Sequence, residues 1–258
     1  MLFVDSDNAL GSPRGDVDDA FALAALMRSG AEIAAVSSVA GNTSEERAFA
    51  NNARLATLTG WRGPLLRASE ARPLLHTFPD RILALGPLTN VALATAASEV
   101  IVVGATLHTF GRFPPLWPHE FNLTKDRAAT RKLFASHVPL TFFPLDVVRR
   151  LRVRRHDLDA IEGALGEELR RETARWFTHL RLVRGTSRFP VYDLAAALYA
   201  LDEDGFTMEQ TTATMAASTF VRFGRGTREV LVCTRLNAPL LWERFLALCR
   251  TPPAPRPR

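Results

Sequence analysis

Five aspartates lie within fifteen residues near the start of the chain: Asp5, Asp7, Asp16, Asp18 and Asp19. A short apolar run precedes them and an apolar helical pattern follows, so they occupy a loop between a predicted strand and a predicted helix. Like charges at this density repel one another unless water separates them or a cation neutralises them. The segment therefore predicts either a solvated acidic turn, with Asp16 or Asp18 as helix N-cap, or a metal site.

Further polar segments follow, or could follow, other predicted strands. They are Gly41-Asn42-Thr43, the segment LGPLTN at 85–90, and His119-Glu120-Phe121-Asn122. In an open parallel α/β sheet, ligands bind just outside the carboxyl ends of the strands, so these segments and the acidic loop are expected at one edge. Asp193 begins a later predicted helix, either as its N-cap or as a member of the same site.

The elements that must position these residues alternate along the chain. Strands are predicted at 2–4, 31–39, 81–85, 100–103 and 139–143, and helices from Ala20 and at 43–60, 87–97, 126–136, 158–183, 193–201 and 239–249. Segments 211–221 and 228–235, separated by Phe223-Gly224-Arg225-Gly226, predict a hairpin. This alternation predicts an α/β fold with an open, mostly parallel, Rossmann-like sheet flanked by helices.

Length and composition favour one domain. The 258 residues are 47% hydrophobic, which predicts a single α/β domain over 1–250, followed by a disordered Pro/Arg tail at 251–258. The two cysteines have no metal-ligand spacing and favour a reduced, cytoplasmic protein. We expect neither a signal peptide nor a membrane span.

The net charge of +5 comes almost entirely from dispersed arginines. No helix-turn-helix, zinc finger or aromatic stacking module accompanies them, so we expect no nucleic-acid partner. The sequence also lacks a G-x-S-x-G nucleophile motif, a P-loop, a G-x-G-x-x-G loop and a histidine pair with zinc spacing.

Five segments in order over about residues 2–200 resemble the motifs of the inosine/uridine-preferring nucleoside hydrolases. They are Asp5-Ser6-Asp7 with Asp18-Asp19-Ala20, Ala40-Gly41-Asn42-Thr43, LGPLTNVALA at 85–94, Glu120-Phe121-Asn122 with Asp126, and Tyr192-Asp193 where the family usually has His-Asp. The acidic loop and the 85–94 segment are the most specific of the five.

The resemblance implies the nucleoside hydrolase architecture and calcium-dependent hydrolysis of the N-glycosidic bond of a ribonucleoside or related N-riboside. It places the Ca²⁺ ligands at Asp7, Asp19, the backbone carbonyl of Leu85, and Asp193, with Asp7 also the general base on a metal-activated water. It assigns the binding of substrate to Asp18, Asn42, Glu120, Asn122 and Tyr192. It further implies a small-molecule nucleoside as partner, no membrane partner, and a homo-oligomer, either a dimer or a tetramer.

The chain departs from the family pattern in three places. The acidic loop is longer, because Asn8 to Val17 intervene between Asp7 and Asp18; Arg14 in it could reach a substrate anion, or the insertion could simply face solvent. The stretch between Gly60 and Ile82 is short, so base preference does not carry over. Tyr192 replaces a histidine that helps protonate the departing base, and it is a weaker acid.

Residues between 106 and 119 bear on protonation of the departing base and on binding of the sugar. His108, Arg112, Trp117 and His119 could take over protonation of the base, or could have only packing and surface roles. Phe110-Gly111-Arg112 stands where the family has an asparagine upstream of Glu120, so the binding of the 5′ end of the sugar could differ.

Two other functions fit parts of the sequence. A non-catalytic protein could retain the calcium–ribose site. A haloacid-dehalogenase-type phosphatase would use Asp5 as nucleophile and Mg²⁺ as metal. The phosphatase also needs a lysine for the phosphate, and the chain offers only Lys125 and Lys132, the latter within a predicted helix.

Overall fold

The computed structural model describes residues 1–12, 15–107 and 120–250. The expected tail at 251–258, Arg14, His108, the segment 110–112, Trp117 and His119 lie outside these ranges.

Strands and helices alternate through the first two thirds of the chain, as predicted. The strands are β1 (Leu2–Ser6), β2 (Ile33–Ser38), β3 (Leu65–Leu66), β4 (Arg81–Ala84), β5 (Glu99–Val103), β6 (Leu140–Phe143), β7 (Arg152–Arg154), β8 (Arg188–Pro190), β9 (Phe206–Met215), β10 (Val221–Phe223) and β11 (Arg228–Leu236). The α-helices are α1 (Asp19–Arg28), α2 (Glu45–Thr59), α3 (Ala68–Thr77), α4 (Phe121–Lys125), α5 (Arg127–Ala135), α6 (Leu145–Val148), α7 (Gly163–Arg184), α8 (Tyr192–Leu201) and α9 (Ala238–Arg250).

Within the described ranges, nine strands form one sheet in the order β10-β9-β11-β6-β5-β4-β1-β2-β3. The pairs from β3 to β11 are parallel, and β9 pairs antiparallel with both β10 and β11. Strands β7 and β8 form a separate antiparallel pair. The predicted open, mostly parallel α/β sheet is confirmed.

Two hydrophobic clusters cover the two faces of this sheet. One packs α1, α8 and α9 against side chains such as Val4 and Leu83, and the other packs α3 and α5 against side chains such as Phe3 and Ile82. Alternation along β1 and β4 sends successive side chains to opposite faces, and both faces are covered, which is why Leu2–Val4 and Ile82–Ala84 are apolar at every position. The alanine-rich helix α1 is buried from Asp19 to Met27, so it serves as the central helix of its layer.

Parallel registry aligns the strand ends that carry the polar segments. Asp5 of β1 lies opposite Ser37 of β2 and Ala84 of β4. The residues just past these positions, including Asp7 and Leu85, therefore emerge at the same carboxyl edge of the sheet.

Two predicted elements are wrong. In place of a helix over 87–97, the segment forms turns and one short 3₁₀ helix (Val91–Leu93), because the Asn90 side chain is engaged by β1 and β2 rather than facing outward from a helix. Segment 211–221 is not one strand of a simple hairpin: β9 ends at Met215 and the chain folds back, so that β10 and β11 flank β9 on opposite sides.

Both cysteines are buried and unbridged, and burial raises the pKa of each thiol to about 12. Across the ranges that the structure describes, no helix has the length and apolar character that a bilayer crossing needs.

Candidate active site

Three of the aspartates meet where β1 ends and α1 begins. Asp7 follows β1 directly, Asp18 stands at the N-cap position of α1, and Asp19 is the first residue of that helix. All three are at most 4% exposed. Asp18 makes no capping bond with its side chain. Asp18 thus holds the predicted N-cap position, but the burial of these three aspartates contradicts a solvated acidic turn.

A fourth aspartate arrives from the distant end of the chain. Helix α8 packs against α1 and carries Asp193 in its first turn, and the backbone N–H of Asp193 donates to Asp18 Oδ2 at 3.3 Å. Val191 holds the N-cap position of α8, so the N-cap role considered for Asp193 is wrong. One carboxylate oxygen from each of Asp18, Asp19 and Asp193 lies within 4.8 Å of the others.

Asp7 is held beside this cluster by close backbone approaches. Its N–H donates to Asp19 Oδ1 at 3.2 Å, and its own Oδ2 accepts the N–H of Asn42 at 2.6 Å. The preceding Gly41 is required by this approach, because a Cβ there would lie 1.9 Å from Asp7 Oδ2. A Cβ on Gly86 would lie 3.1 Å from the Cβ of Asp7. The segments at 41–43 and 85–90 thus meet the acidic loop, as the sequence predicts.

Two oxygens in this cluster are buried without a hydrogen-bond partner: Asp7 Oδ1 and Asp19 Oδ2. Burying an anionic oxygen without a partner destabilises the folded protein by several kcal/mol, unless a cation or a proton satisfies that oxygen. The ligand-capable groups are all carboxylates, which suit a hard cation such as Ca²⁺ better than a thiophilic metal. The residues present therefore fit a Ca²⁺ ion.

Without a cation the cluster retains protons. Burial raises the pKa of Asp7 to about 7, against the opposing hydrogen bond from Asn42. Burial first, and the neighbouring carboxylates second, raise the pKa values of Asp19 and Asp193 well above the usual range of an aspartate. Burial also raises the pKa of Asp18. The cluster is thus arranged to hold positive charge, which a metal ion supplies.

Two of the residues predicted to bind the sugar, Glu120 and Asn122, lie at the start of α4, beside the ends of β4 and β5. Glu120 is the N-cap of α4: one of its oxygens accepts the N–H of Leu123 at 2.7 Å, whereas Oε1 is buried without a partner and faces Gly104. Burial raises the pKa of Glu120 to about 8. Asn122 donates to the carbonyls of Leu85 and Val103 at 2.8 and 3.1 Å, so it already contacts the carbonyl predicted as a metal ligand.

Tyr192 is the first residue of α8 and is partly buried against the core that α1 and α8 share. It lies next to Asp193 in the chain, at the end of α8 that faces the acidic cluster.

Sequence reasoning missed a polar layer beneath Asp7. Asp5 accepts the hydroxyl of Ser37 at 2.5 Å and the amide of Asn90 at 3.1 Å, and burial raises its pKa to about 6. Asn90 also donates to Ser38 O and accepts the guanidinium of Arg72 at 3.0 Å. The signal that could have revealed this polar layer is the change from apolar to polar residues at the ends of β1 and β2, in Asp5-Ser6-Asp7 and Ser37-Ser38. Asp5 is 1% exposed and lies within β1, and its Oδ2 is buried without a partner.

Comparison with known proteins agrees with this arrangement. The sequence model of the inosine-uridine preferring nucleoside hydrolases matches residues 79–243, which is more than half of the chain. The pyrimidine-specific ribonucleoside hydrolase RihB of Escherichia coli O17:K52:H18 is 25% identical over 187 residues, covering 63% of this chain and 58% of the relative. RihA of Photobacterium profundum is 27% identical over 195 residues, covering 56% and 62%. The chain thus matches about three fifths of the length of these curated relatives.

Solved structures show the same fold over nearly the whole chain. A plant nucleoside hydrolase, PpNRh1, superposes with a TM-score of 0.82 at 16% identity, covering 98% of this chain and 99% of its own. The purine-preferring ribonucleoside hydrolase of Gardnerella vaginalis gives 0.81 at 16% identity, covering 96% and 97%.

The chain belongs to the inosine-uridine preferring nucleoside hydrolase family. The match begins at residue 79 and therefore does not include the lengthened acidic loop.

Proposed function

We propose that this chain hydrolyses the N-glycosidic bond of a ribonucleoside or a related N-riboside in a Ca²⁺-dependent reaction. The observation that carries the proposal is the convergence of buried aspartates at the carboxyl edge of a nucleoside hydrolase sheet. Carboxylate oxygens of Asp18, Asp19 and Asp193 lie within 4.8 Å of one another, and Asp7, beside them, and Asp19 each have a buried oxygen without a partner. Asp7, Asp19, Asp193 and the carbonyl of Leu85 would hold the ion. When bound, Ca²⁺ would neutralise these carboxylates and make a nearby water more acidic.

Asp7 is the general base of this proposal. Its Oδ2 is anchored by Asn42, so its Oδ1 remains to take the proton of the attacking water. The oxygen of that water bonds to the anomeric carbon as the bond from that carbon to the base nitrogen breaks. The products are ribose and the free base, and the transition state resembles an oxocarbenium ion, as in glycoside hydrolysis generally.

Asp18, Asn42, Glu120 and Asn122 hold the ribose in this proposal. Their fixed polar atoms would grip the hydroxyls of the sugar and orient the anomeric carbon toward the water. Asn122 is already tied to two strand-end carbonyls, which gives the sugar pocket a rigid wall. Tyr192 would donate a hydrogen bond to the departing base.

The experiment is a panel of purine and pyrimidine ribonucleosides, assayed for release of reducing ribose with Ca²⁺ and with a chelator. The proposal predicts release that depends on Ca²⁺, and the panel ranks the bases. If Ca²⁺ binds but no nucleoside is cleaved, the alternative of a non-catalytic nucleoside-binding protein replaces it. We further propose a homo-oligomer, a dimer or a tetramer, which light scattering of the purified protein would identify.

A further inference from the structure

Ten residues, Asn8 to Val17, separate Asp7 from Asp18, yet the carboxylates at both ends of this inserted loop belong to one buried cluster. A free loop of this length would have to be ordered each time a cation gathers its ends, and that ordering opposes binding. The loop contacts suggest how the chain avoids this cost.

Helix α2 holds the first half of the inserted loop. The amide of Asn51 donates to the backbone carbonyls of Asn8 and Leu10, at 2.9 and 3.0 Å. Its neighbour Asn52 accepts the amide of Asn8 at 3.1 Å and donates to Ser38 Oγ at 3.2 Å. The two bonds of Asn52 are buried and those of Asn51 are partly buried. Asn8 and Leu10 are at most 4% exposed, so a backbone carbonyl left without its bond there is costly.

The rest of the described loop is held from other directions. Gly11 presses against α7, because a Cβ there would lie 2.5 Å from Glu172 Oε2, and its φ of +82° suits glycine. Arg54 of α2 pairs with Glu168 and Glu172 of α7, which ties together the two helices that contact the loop. Gly15 packs closely against Ala9 in the first half of the loop, since a Cβ on Gly15 would lie 2.7 Å from the Cβ of Ala9.

We propose that Asn51 is a positioning residue that pre-orders the first part of the inserted loop, Asn8 to Leu10, so that Asp7 already lies beside Asp18 and Asp19 before the metal ion arrives. Asn51 touches neither the carboxylates nor the substrate in this proposal, and it acts through the backbone of Asn8 and Leu10. The inference rests on the proposed function only in taking Ca²⁺ as the ion that the aspartates hold.

The first test is calorimetric titration of Ca²⁺ into the metal-free protein, comparing wild type with Asn51→Ala and Asn51→Asp. Both variants remove the donating amide. We expect the dissociation constant for Ca²⁺ to rise about tenfold in each, the change that the loss of one or two hydrogen bonds produces. Thr57→Ala is the matched control, because Thr57 lies on the exposed side of α2 and bonds only within the helix. A dissociation constant within twofold of wild type in both Asn51 variants would overturn the proposal.

A second test needs no variant. Hydrogen exchange of the wild-type protein reports on the amides of Leu10 and Ser12, which donate to Asn8 Oδ1 and Ala9 O. The proposal predicts that these amides are protected without Ca²⁺. Protection that appears only after Ca²⁺ is added would refute it. Because this readout needs neither metal nor turnover, it separates failure of the inference from failure of the proposed function.

Discussion

At the scale of single residues, Asp5 and Asp7 differ in where they lie relative to the end of β1. Asp5 Oδ1 is bound by Ser37 and Asn90 and Asp7 Oδ2 by Asn42, and each of the two aspartates keeps one buried oxygen without a partner. Asp5 lies within β1, whereas Asp7 lies past the end of the strand and beside Asp19. These positions support the proposal in which Asp5 has a supporting role and Asp7 the reactive one.

Asp7→Asn is expected to lower kcat by about 10²- to 10⁴-fold, the range typical of a lost general base. The amide keeps the size of the side chain and the bond from Asn42, so the free energy of unfolding should change little. Steady-state kinetics with thermal unfolding as the folding control would measure this. A variant with wild-type kcat would exclude Asp7 as the base.

Glu120→Gln separates sugar binding from metal binding. Glu120 lies outside the proposed ligand set, so the dissociation constant for Ca²⁺ should stay within twofold of wild type. We expect kcat/KM to fall about tenfold or less at neutral pH, as for the loss of a hydrogen bond to a neutral group, because the pKa of Glu120 is raised to about 8. Kinetics and calorimetry on the same preparation check both values. Equal losses of metal affinity and activity would instead make Glu120 a ligand.

Tyr192 can be tested in two directions. Tyr192→Phe removes the hydroxyl and should lower kcat about tenfold, if that hydroxyl donates to the departing base. Tyr192→His introduces a stronger acid with an ordinary pKa near 6.5 and should raise kcat for substrates whose base leaves poorly. Nucleosides with bases of graded basicity would reveal the trend. Unchanged kcat in both variants would remove Tyr192 from the reaction.

At the scale of elements, the site is made by glycines that let loops approach Asp7. Gly41→Ala would place a methyl group 1.9 Å from Asp7 Oδ2, so the carboxylate must move. We expect loss of most Ca²⁺ affinity and activity in this variant. Gly30→Ala is the control: its φ of +71° makes alanine unfavourable, but nothing lies within 4 Å. It should lower the melting temperature while leaving kcat and Ca²⁺ affinity unchanged, and a Gly41 variant that behaved in the same way would contradict the steric argument.

The elements also show how far sequence patterns reach. The strands near 81–85, 100–103 and 139–143 were predictable, since short apolar runs bounded by Gly or Pro indicate buried strands. The prediction of a helix over 87–97 was wrong, because a local sequence pattern carries no information on the hydrogen bonds that Asn90 makes with Asp5 and Ser38. Strands β3, β7 and β8 have only two or three residues each, which is too short for a periodic pattern.

The site residues followed from motif resemblance rather than from periodicity. Motif order placed Asp7, Asp18, Asp19 and Asp193 in one site, and the structure brings these four together. Their roles remain proposals. No pattern marked Asn51, Asn52 or Arg72 as partners, because their contacts depend on how α2 and α3 pack beside the strands. Single polar residues on amphipathic helices carry no such information.

At the scale of the whole molecule, the raised pKa values link stability, pH and metal. The pKa of Asp7 is raised to about 7 in the folded protein without metal, against 3.8 for an unperturbed aspartate. Such a group favours the folded state when protonated, so its contribution to stability is full below about pH 4 and is lost as pH rises toward 7. The raised pKa values of Asp19 and Asp193 act in the same direction.

Ca²⁺ should therefore stabilise the protein more at higher pH, where it replaces the lost protons. We expect the rise in melting temperature on adding Ca²⁺ to be several degrees larger at pH 8 than at pH 5.5. For a chain of this size, 1 kcal/mol of added stability raises the melting temperature by about 4 °C or less. Scanning calorimetry with and without chelator at both pH values measures it. An equal rise at both values would show that the ion does not compete with these protons.

The central claim is that the buried aspartates hold one Ca²⁺ ion that nucleoside hydrolysis requires. The most direct test titrates Ca²⁺ into the chelator-treated protein and follows bound ion and ribose release together. The account predicts one ion per chain, with activity rising in proportion to occupancy. Full hydrolysis by protein that contains essentially no metal would contradict it.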